Sequence, residues 1–238
     1  MAPKMAGPMQ GQSVLQSPAC ERNRAPILAL LQDWLPERAR VLEIGSGGGH
    51  HAAFFCGQVP GLVWQASELQ GSLAMLQAQL AALTPTLLAP GAQLLPPIPL
   101  DVTQAGQWPH QSFDAVFTAN TCHIMPAMAL PQLLAGAARV LRPRGLVLLY
   151  GPFHDGGVPT AASNVAFDAH LRSLDPAMGV RDALDLQEQA TALGLQPLAD
   201  VAMPANNRTL IFQLEDSPAN QQIAARAGNQ NRSKFKPC

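Results

Sequence analysis

The chain has 238 residues, a formal net charge of −1 and a hydrophobic fraction of 47%. This length is enough for one α/β domain with a full core. The near-neutral charge, without an arginine-rich run before the C-terminal tail, argues against a nucleic-acid partner. No apolar run approaches the roughly 20 residues that span a bilayer, and the N-terminus lacks the apolar segment of a secretory signal. We therefore expect a cytoplasmic protein without a membrane contact.

Apolar strands alternate with helical patterns across residues 17–214, which we interpret as one domain. Residues 1–16 are rich in Gly, Pro, Gln and Met, and residues 215–238 are polar, so both segments are predicted to be disordered. The predicted elements in chain order are helix 21–34, strand 40–44, helix 49–58, strand 62–66, helix 70–83, strand 98–102, strand 113–119, helix 130–141, strand 145–150, helix 163–174, helix 182–193, strand 195–203 and strand 209–214.

The order of these elements predicts an α/β fold with helices on both faces of a mostly parallel sheet. Residues 84–99 are rich in proline and are predicted as a loop, as is the stretch 153–162. The last two strands are joined by only a short connection, so they must be antiparallel. The sequence therefore predicts a parallel sheet that is closed by an antiparallel C-terminal hairpin.

A glycine-rich loop follows the first predicted strand. Gly45, Gly47 and Gly49 alternate with other residues, among them Ser46, and a helical pattern begins directly after them. Glycine has no Cβ and tolerates positive φ, so the backbone of such a loop can lie close against a nucleotide-like ligand. Glu43 places a carboxylate at the end of the strand, which suits a cationic ligand better than a pyrophosphate. This pattern favours S-adenosylmethionine over NAD or ATP.

Two other ligands fit the glycine loop to different degrees. The spacing from Gly47 to Ala52 matches the G-x-G-x-x-A variant of the dinucleotide fingerprint, so an NAD(P)-dependent oxidoreductase stays open. A nucleotide-triphosphate loop requires a Gly-Lys-Ser/Thr ending, and no lysine lies nearby.

Cysteine and histidine spacing predicts no metal site. The adjacent His50 and His51 have no further ligand at a suitable spacing. The cysteines form no C-x-x-C pair, which favours reduced thiols in a cytosolic protein. The four cysteines are Cys20, Cys56, Cys122 and Cys238.

The ordered motifs resemble those of class I S-adenosylmethionine-dependent methyltransferases. This resemblance implies a Rossmann-like, seven-stranded sheet of order 3-2-1-4-5-7-6 with the loop 45–49 holding the methionine part of the cofactor. It also implies that Glu68 accepts hydrogen bonds from the ribose hydroxyls and that Asp101 lies beside the adenine amino group. Asn120 closes the fourth strand, where the site opens toward substrate. An acid at the position of Glu68 would serve NAD equally well.

A narrower resemblance, from about Ser17 to Gln213, is to the methyltransferase-like 26 family of cytosolic proteins without a known substrate. The chain departs from the family pattern at Gly45, His50 and Met178, where we expect Ala, Gln and Trp; the first two changes are expected to be mild. The matching words are Ser17-Pro18-Ala19, Glu21-Arg22-Asn23, His51-Ala52, Asn120, His123-Ile124, Arg139-Val140-Leu141-Arg142-Pro143, Tyr150-Gly151-Pro152-Phe153, Ser163-Asn164, Phe167-Asp168, Asp175-Pro176, Gly179, Arg181-Asp182 and Met203-Pro204-Ala205-Asn206-Asn207.

Candidate roles follow for polar residues in these words. The first helix is expected to cover the cofactor, with Arg22 or Asn23 meeting the methionine carboxylate. His123 is the candidate general base because its ordinary pKa near 6.5 lets it accept a proton at neutral pH. Tyr150, the only tyrosine, is expected to place the substrate or to assist catalysis at the same edge. The expected substrate-binding residues are Phe153, Asn164, Asp175, Arg181 and Asn206, although Asp175 and Arg181 could instead pair with each other.

The sequence thus predicts S-adenosylmethionine-dependent methyl transfer to a small molecule by a monomer or weak dimer. The alternatives are an NAD(P)-dependent oxidoreductase and a module that binds S-adenosylmethionine without catalysis.

Overall fold

A computed structural model of the protein describes residues 18–83 and 88–216. The predicted N-terminal arm, residues 1–16, and all but two residues of the predicted tail lie outside the described part. So do residues 84–87 of the predicted proline-rich loop.

The helices lie where the hydrophobic periodicity predicts them, with boundaries shifted by at most three residues. Gly49, with φ of 72°, directly precedes α2. The side chain of Asp182 caps α6 by accepting hydrogen bonds from the amides of Leu184 and Asp185. The helices are α1 (Pro18–Trp34), α2 (His50–Gln58), α3 (Gln70–Leu83), α4 (Leu130–Val140), α5 (Ala162–Leu174) and α6 (Ala183–Thr191).

Within the described residues, seven strands form one sheet and two short strands pair separately. The sheet order is β3-β2-β1-β4-β5-β9-β8, which is the predicted order once the separate β6–β7 pair is left out of the count. The strands are β1 (Arg40–Glu43), β2 (Val63–Glu68), β3 (Gln93–Pro99), β4 (Phe113–Ala119), β5 (Leu141–Gly151), β6 (Phe153–His154), β7 (Arg181–Asp182), β8 (Leu195–Met203) and β9 (Asn207–Leu214).

The direction of the strands confirms the predicted α/β class. Strands β1 to β5 pair in parallel, whereas β9 pairs antiparallel with both β5 and β8. The hairpin of β8 and β9 turns at Ala205 and Asn206, which have φ of 60° and 57°. This is the Rossmann-like arrangement that the resemblance implies.

The sheet separates two apolar layers. On one face, α1, α2 and α3 pack on the sheet through a cluster that contains Ile27, Phe55 and Trp64. On the other face, α4 and α6 pack through a cluster that contains Leu133 and Leu186. Both faces of the parallel strands are therefore covered, and the carboxyl ends of β1, β2 and β4 are left to form a site at one edge.

The largest errors in the predicted strand boundaries, of four or more residues, occur in two strands that contain proline. The third strand runs over Gln93–Pro99 rather than residues 98–102. It contains Pro96 and Pro97, which this position tolerates because β3 is an edge strand that pairs only with β2. The fifth strand begins at Leu141, not at residue 145, because the Pro143 region forms a bulge in the pairing with β4. The predicted loop 153–162 also contains the short strand β6.

Candidate functional site

The glycine loop between β1 and α2 has the backbone that its composition predicts. Gly45, Gly47 and Gly49 have φ of 69°, 55° and 72°, a region that disfavours side chains with a Cβ. The loop is fastened to the end of β2, because the Ser46 amide donates to the Ser67 carbonyl at 2.9 Å and the Ser67 amide donates to Ser46 Oγ at 3.1 Å. The ends of β1 and β2 are therefore held as one unit.

Glu68 also holds this loop. Its Oε2 accepts a hydrogen bond from the Gly47 amide at 2.9 Å, and its Oε1 accepts one from the Leu69 amide at 2.9 Å. Each carboxylate oxygen can accept more than one hydrogen bond. The carboxylate is thus fixed beside the loop while part of its acceptor capacity is left over.

Gly45 is packed against the segment that follows β4. A Cβ added at Gly45 would lie 2.7 Å from Thr121 Cγ2 and 2.8 Å from Thr121 Oγ1. The resemblance implies alanine at position 45, and we expect from the sequence that glycine there is a mild change. In this chain, however, an alanine at 45 would have both a positive φ and a close contact with Thr121, so the two residues are not interchangeable here. Glycine at 45 and threonine at 121 fit each other.

The space above Gly47 is open. A Cβ added there would meet no atom within 4 Å among the described residues.

Asp101 follows β3, and its Oδ1 accepts hydrogen bonds from the Thr103 amide at 2.9 Å and the Thr103 hydroxyl at 2.7 Å. Asn120 directly follows β4 and has φ of 58°, a conformation that asparagine adopts more readily than most residues. The glycine loop, Glu68, Asp101 and Asn120 thus lie at neighbouring strand ends, whereas Arg22 and Asn23 lie on α1.

Glu43 differs from the open carboxylate that the sequence suggests. Its side chain is 2% exposed, and its Oε2 accepts a hydrogen bond from the Trp64 indole at 2.9 Å. Burial raises the pKa of Glu43 to about 7 from an ordinary value of 4.5. Its charge is therefore only partly present near neutral pH, and the carboxyl group lies beneath the loop.

His51 connects Glu43 to α1. Its Nδ1 lies 4.0 Å from Glu43 Oε1, and its Nε2 lies 2.8 Å from Oδ1 of Asn23, which is buried. The ring stacks on Phe55 with centroids 5.4 Å apart. Burial lowers the pKa of His51 to about 4, so the imidazole is neutral at physiological pH.

A cavity of about 390 Å³ opens beside Asn120, between α1, α5 and the hairpin of β8 and β9. Arg22 is the one charged residue that lines it, among the residues that the structure describes. Amide, hydroxyl and imidazole groups provide most of its remaining polar surface. The lining residues are Arg22, Asn23, Asn120, His123, Tyr150, Pro152, Ser163, Asn164, Phe167, Pro204, Ala205 and Asn207.

His123 lies in this cavity wall. It is 6% exposed, and its ring contacts Phe167 edge-on with centroids 5.0 Å apart. Burial, aided by the charge of Arg181, lowers the pKa of His123 to about 4. The ring is therefore neutral and can accept a hydrogen bond, although it is a weak base.

Tyr150 lies at the end of β5 and faces the same cavity. Its hydroxyl is within hydrogen-bonding reach of the side chains of Asn23 and Asn207, and Arg22 is close enough to influence it. Burial raises the pKa of Tyr150, and the Asn23 contact, the Arg22 charge and the Asn207 contact oppose the shift. The phenol is thus neutral at physiological pH.

Asn164 and Asn206 join α5 to the hairpin of β8 and β9. Asn164 Nδ2 donates to the Asn206 carbonyl at 3.2 Å and to Thr160 Oγ1 at 3.0 Å. Asn206 Nδ2 donates to Ser163 Oγ at 2.9 Å. Asn164 borders the cavity, and Asn206 supports its wall from behind.

Besides Asn206, three more of the predicted substrate-binding residues are not among those that line the cavity. Phe153 is 1% exposed within the apolar core. Asp175 is exposed, and its Oδ1 accepts a hydrogen bond from the Ala177 amide at 2.8 Å. Arg181 donates hydrogen bonds to the backbone carbonyls of Cys122, Met125 and Ala177. Its guanidinium is therefore engaged by the backbone, and it neither lines the cavity nor pairs with Asp175.

The structure also brings in residues that sequence reasoning overlooks. Thr121 packs on Gly45, Trp64 binds Glu43, and Ser67 donates its hydroxyl to the Glu43 carbonyl at 2.5 Å. Phe167 and Asn207 line the cavity. Phe167 and Asn207 lie in sequence words shared with the methyltransferase-like 26 family, so the sequence could have identified them as candidate site residues. Trp64 and Ser67 lie outside those words, and only the pairing of β1 with β2 brings them to the site.

Other kinds of site lack support in the described part of the chain. Residues 18–83 and 88–216 hold no group of three or more His, Cys, Asp or Glu side chains that could bind a metal ion. None of the helices described is both long and apolar enough to cross a bilayer. Burial raises the pKa of Cys122 to about 12, so its thiol is not ionised at neutral pH.

Several solved structures with a similar fold are named as methyltransferases. An O-methyltransferase family protein from Burkholderia thailandensis is 16% identical, with a TM-score of 0.67 over 83% of this chain and 57% of that one. The mitomycin 7-O-methyltransferase is 17% identical, with a TM-score of 0.65 over 82% and 54%. Human N-acetylserotonin methyltransferase, solved in complex with SAM, is 12% identical, with a TM-score of 0.65 over 83% and 53%.

This chain spans little more than half the length of those structures, and at such low identity the likeness shows the fold alone. A family model described as "Protein of unknown function (DUF938)" matches residues 15–214. That match covers nearly all of the described fold, including the glycine loop and the cavity. The chain therefore belongs to the DUF938 family.

Proposed function

We propose that the protein binds S-adenosylmethionine and transfers its methyl group to a small-molecule acceptor. The observation that carries this proposal is the loop 45–49, in which alternate glycines have positive φ and the Gly47 amide is held by Glu68. The loop adjoins a polar cavity at the same sheet edge, because Thr121 packs on Gly45 and the preceding Asn120 lines the cavity.

The residues present fit this cofactor. The open space at Gly47 lets a ligand approach the bare backbone, and Glu68 retains acceptor capacity for ribose hydroxyls. Asp101 on the next strand end is the candidate acceptor for the adenine amino group. On α1, Asn23 is engaged by His51, so Arg22 is the group that suits the methionine carboxylate. Cofactor-bound neighbours of the same fold, such as the human enzyme solved with SAM, support this assignment.

The narrower family assignment is also part of the proposal. The words shared with the methyltransferase-like 26 family run from about Ser17 to Gln213, and the DUF938 match covers almost the same stretch, residues 15–214. The agreement of the two ranges supports this narrower assignment.

When bound, S-adenosylmethionine supplies a methyl group that its sulfonium already activates. The task of this chain is therefore mainly to position the acceptor, and good positioning can contribute about 7–11 kcal/mol to lowering the barrier. The cavity walls at Asn120, His123 and Tyr150 hold the acceptor at the sheet edge. His123 is neutral, so it can accept a hydrogen bond from a hydroxyl or amine, while its low pKa favours orientation over full proton removal.

Calorimetric titration with S-adenosylmethionine and S-adenosylhomocysteine tests the binding step. We expect saturable binding to the wild-type protein and binding that is weaker by about tenfold or more for Glu68→Ala, because a ribose acceptor and the anchor of Gly47 are lost. Glu37→Ala, at an exposed acid distant from the loop, is the matched control and should bind normally. Absence of saturable binding to the wild type contradicts the proposal.

Two further assays separate the alternatives. If the G-x-G-x-x-A spacing from Gly47 to Ala52 belongs to an oxidoreductase, NAD(P)H should bind and its fluorescence should change on titration with the protein. We expect no change in NAD(P)H fluorescence. Metabolite mixtures incubated with the protein and methyl-labelled S-adenosylmethionine should yield a labelled small molecule by mass spectrometry. Binding without any labelled product would favour a module without catalysis.

A further inference from the structure

Asn164 is a buried polar residue in the wall of the cavity beside Asn120. It belongs to the first turn of α5, it is 4% exposed, and it lines the cavity. A buried carboxamide is costly to leave without hydrogen-bond partners. The partners of its nitrogen and of its oxygen therefore indicate what this residue offers to a ligand.

The side-chain nitrogen of Asn164 is fully used by the protein. Nδ2 donates to Thr160 Oγ1 at 3.0 Å and to the Asn206 carbonyl at 3.2 Å. The Thr160 hydroxyl gives its only proton to the Phe153 carbonyl at 2.9 Å, so its oxygen must accept from Asn164. The Asn206 carbonyl can also only accept. Both contacts therefore require the nitrogen, and the orientation of the side-chain amide is fixed.

The side-chain oxygen of Asn164 is left for the cavity. Within residues 18–83 and 88–216, no donor forms a hydrogen bond with Oδ1, yet Oδ1 is not one of the atoms that are sealed without a partner. An oxygen that is neither bonded nor sealed faces open space, and the open space at Asn164 is the cavity. The cavity wall therefore presents a fixed hydrogen-bond acceptor.

The surroundings of this oxygen suit a flat ring. Phe167 lies one helical turn from Asn164 on the same face of α5, and its ring contacts the His123 ring edge-on. Pro152 and Pro204 add apolar surface to the same cavity. Apolar and aromatic walls with a few fixed polar groups are typical of sites for small organic molecules.

The charge of the cavity restricts the ligand further. Arg22 is the one charged lining residue in the described part of the chain, and the proposed function assigns it to the methionine carboxylate. A protonated amine would meet no carboxylate in the described lining, and burying an unpaired charge is costly. A carboxylate has no proton to donate to Asn164 Oδ1. Neutral compounds with an O–H or N–H group remain.

We propose that Asn164 is a specificity-determining residue whose Oδ1 accepts a hydrogen bond from the methyl acceptor. Resting on the proposed function, this assigns the acceptor to neutral ring compounds that carry a hydroxyl or an N–H group. A compound without such a donor would leave Oδ1 buried and unpaired, and sites built to bind a donor discriminate strongly against analogues that lack it.

Phenol and anisole are matched probes for this contact, because they share a ring and only phenol has an O–H donor. Their affinities for the ligand-free, ¹⁵N-labelled protein can be measured from the backbone amide shifts of residues 163–167. Asn164→Leu removes Oδ1 at a similar side-chain volume, so the ratio of phenol affinity to anisole affinity should fall about tenfold. Differences in size and hydrophobicity between the probes are common to both proteins and cancel.

Thr160→Val is the matched control. It removes one partner of Asn164 Nδ2 and leaves Oδ1 in place, with Nδ2 still held by the Asn206 carbonyl. The affinity ratio should stay within about twofold of the wild-type ratio. An equal fall in both variants, or no fall in Asn164→Leu, overturns the proposal.

The wild-type protein provides a second test that does not depend on the folding of a variant. Saturation with phenol should shift the ¹³Cγ resonance of Asn164, because Oδ1 gains a hydrogen bond, and anisole should shift it much less. Equal shifts with the two probes, or no response of residues 163–167 to phenol, overturn the proposal.

Both tests use the protein without a cofactor, so they separate this inference from the proposed function. Loss of probe selectivity while S-adenosylhomocysteine still binds overturns the role of Asn164 alone. The expected selectivity in a protein that does not bind S-adenosylhomocysteine would contradict the proposed function and leave the Asn164 contact standing.

Discussion

At the scale of single residues, the site is controlled by groups that lie under the loop rather than in the open crevice. Glu43 is bound to the Trp64 indole, and Gly45 is packed on Thr121. Both residues shape the loop from below, so their substitution should affect folding before it affects binding. Two predictions follow from their environments.

Glu43 should make stability depend on pH. Its folded-state pKa of about 7 lies above its ordinary 4.5, so the native state binds more protons between these values. The contribution is fully present below about pH 4.5 and is lost as the pH rises toward 7. Relative to Glu43→Gln, the wild type should lose up to about 1.4 kcal/mol of unfolding free energy per pH unit in this window.

Urea unfolding of both proteins across that pH range measures the difference. The histidines with lowered pKa values, His51 and His123, drive stability in the opposite direction but are present in both proteins and cancel. A flat difference between wild type and Glu43→Gln would mean that the Glu43 carboxylate stays ionised in the folded protein.

Gly45→Ala should destabilise the fold by about 1–3 kcal/mol, because the residue has φ of 69° and its new Cβ would lie 2.7 Å from Thr121 Cγ2. Adding Thr121→Ala should restore the unfolding free energy lost to the steric clash. The loss that comes from the positive φ of residue 45 should remain. Gly71→Ala is the control, since it lies in α3 with nothing within 4 Å of the added Cβ among the described residues. Equal unfolding free energies for wild type and Gly45→Ala in denaturant titrations would contradict this account.

At the scale of elements, the segment after β4 is held by Arg181 of β7 and by Gly179, which lies just before that strand. Arg181 donates to the carbonyls of Cys122 and Met125, and the Gly179 amide donates to the His123 carbonyl at 2.9 Å. The residue predicted to bind substrate instead fixes the backbone that carries His123. Arg181 can therefore affect the position of His123 in the cavity wall, although Arg181 itself does not line the cavity.

Arg181→Ala should therefore cost roughly 2–4 kcal/mol, because a buried charge-assisted network and three carbonyl contacts are lost. Arg172→Ala, which removes an exposed ion pair with Asp168, is the matched control and should cost about 1 kcal/mol or less. Thermal and urea unfolding of both variants measure the difference. Similar losses in the two variants would show that Arg181 is not a structural clamp.

Elements with a clear hydrophobic period could be predicted from the sequence, whereas elements with proline could not. Strand β4 and helix α3 have their predicted boundaries because their apolar patterns are uninterrupted. The sequence predicts strand β3 too late in the chain, because Pro96 and Pro97 argue against a strand unless its edge position is known. That position depends on the topology of the whole sheet, which local sequence does not contain.

At the scale of the whole molecule, the parallel sheet gathers the strand ends that carry the candidate site. The loop after β1, Glu68 after β2 and Asn120 after β4 come together because parallel strands end at one edge. This much of the site follows from sequence order alone. The direction in which each side chain points does not, which is why Phe153, Asp175 and Arg181 are absent from the cavity lining.

The central claim is that the sheet edge at Gly47 and Glu68 holds an adenosyl compound. A crystal structure of the protein grown with S-adenosylhomocysteine tests it most directly. The account predicts density for the ligand over Gly47, with the ribose hydroxyls on Glu68 and the adenine beside Asp101. An empty crevice at saturating ligand, or a nicotinamide nucleotide retained there from the expression host, would contradict it.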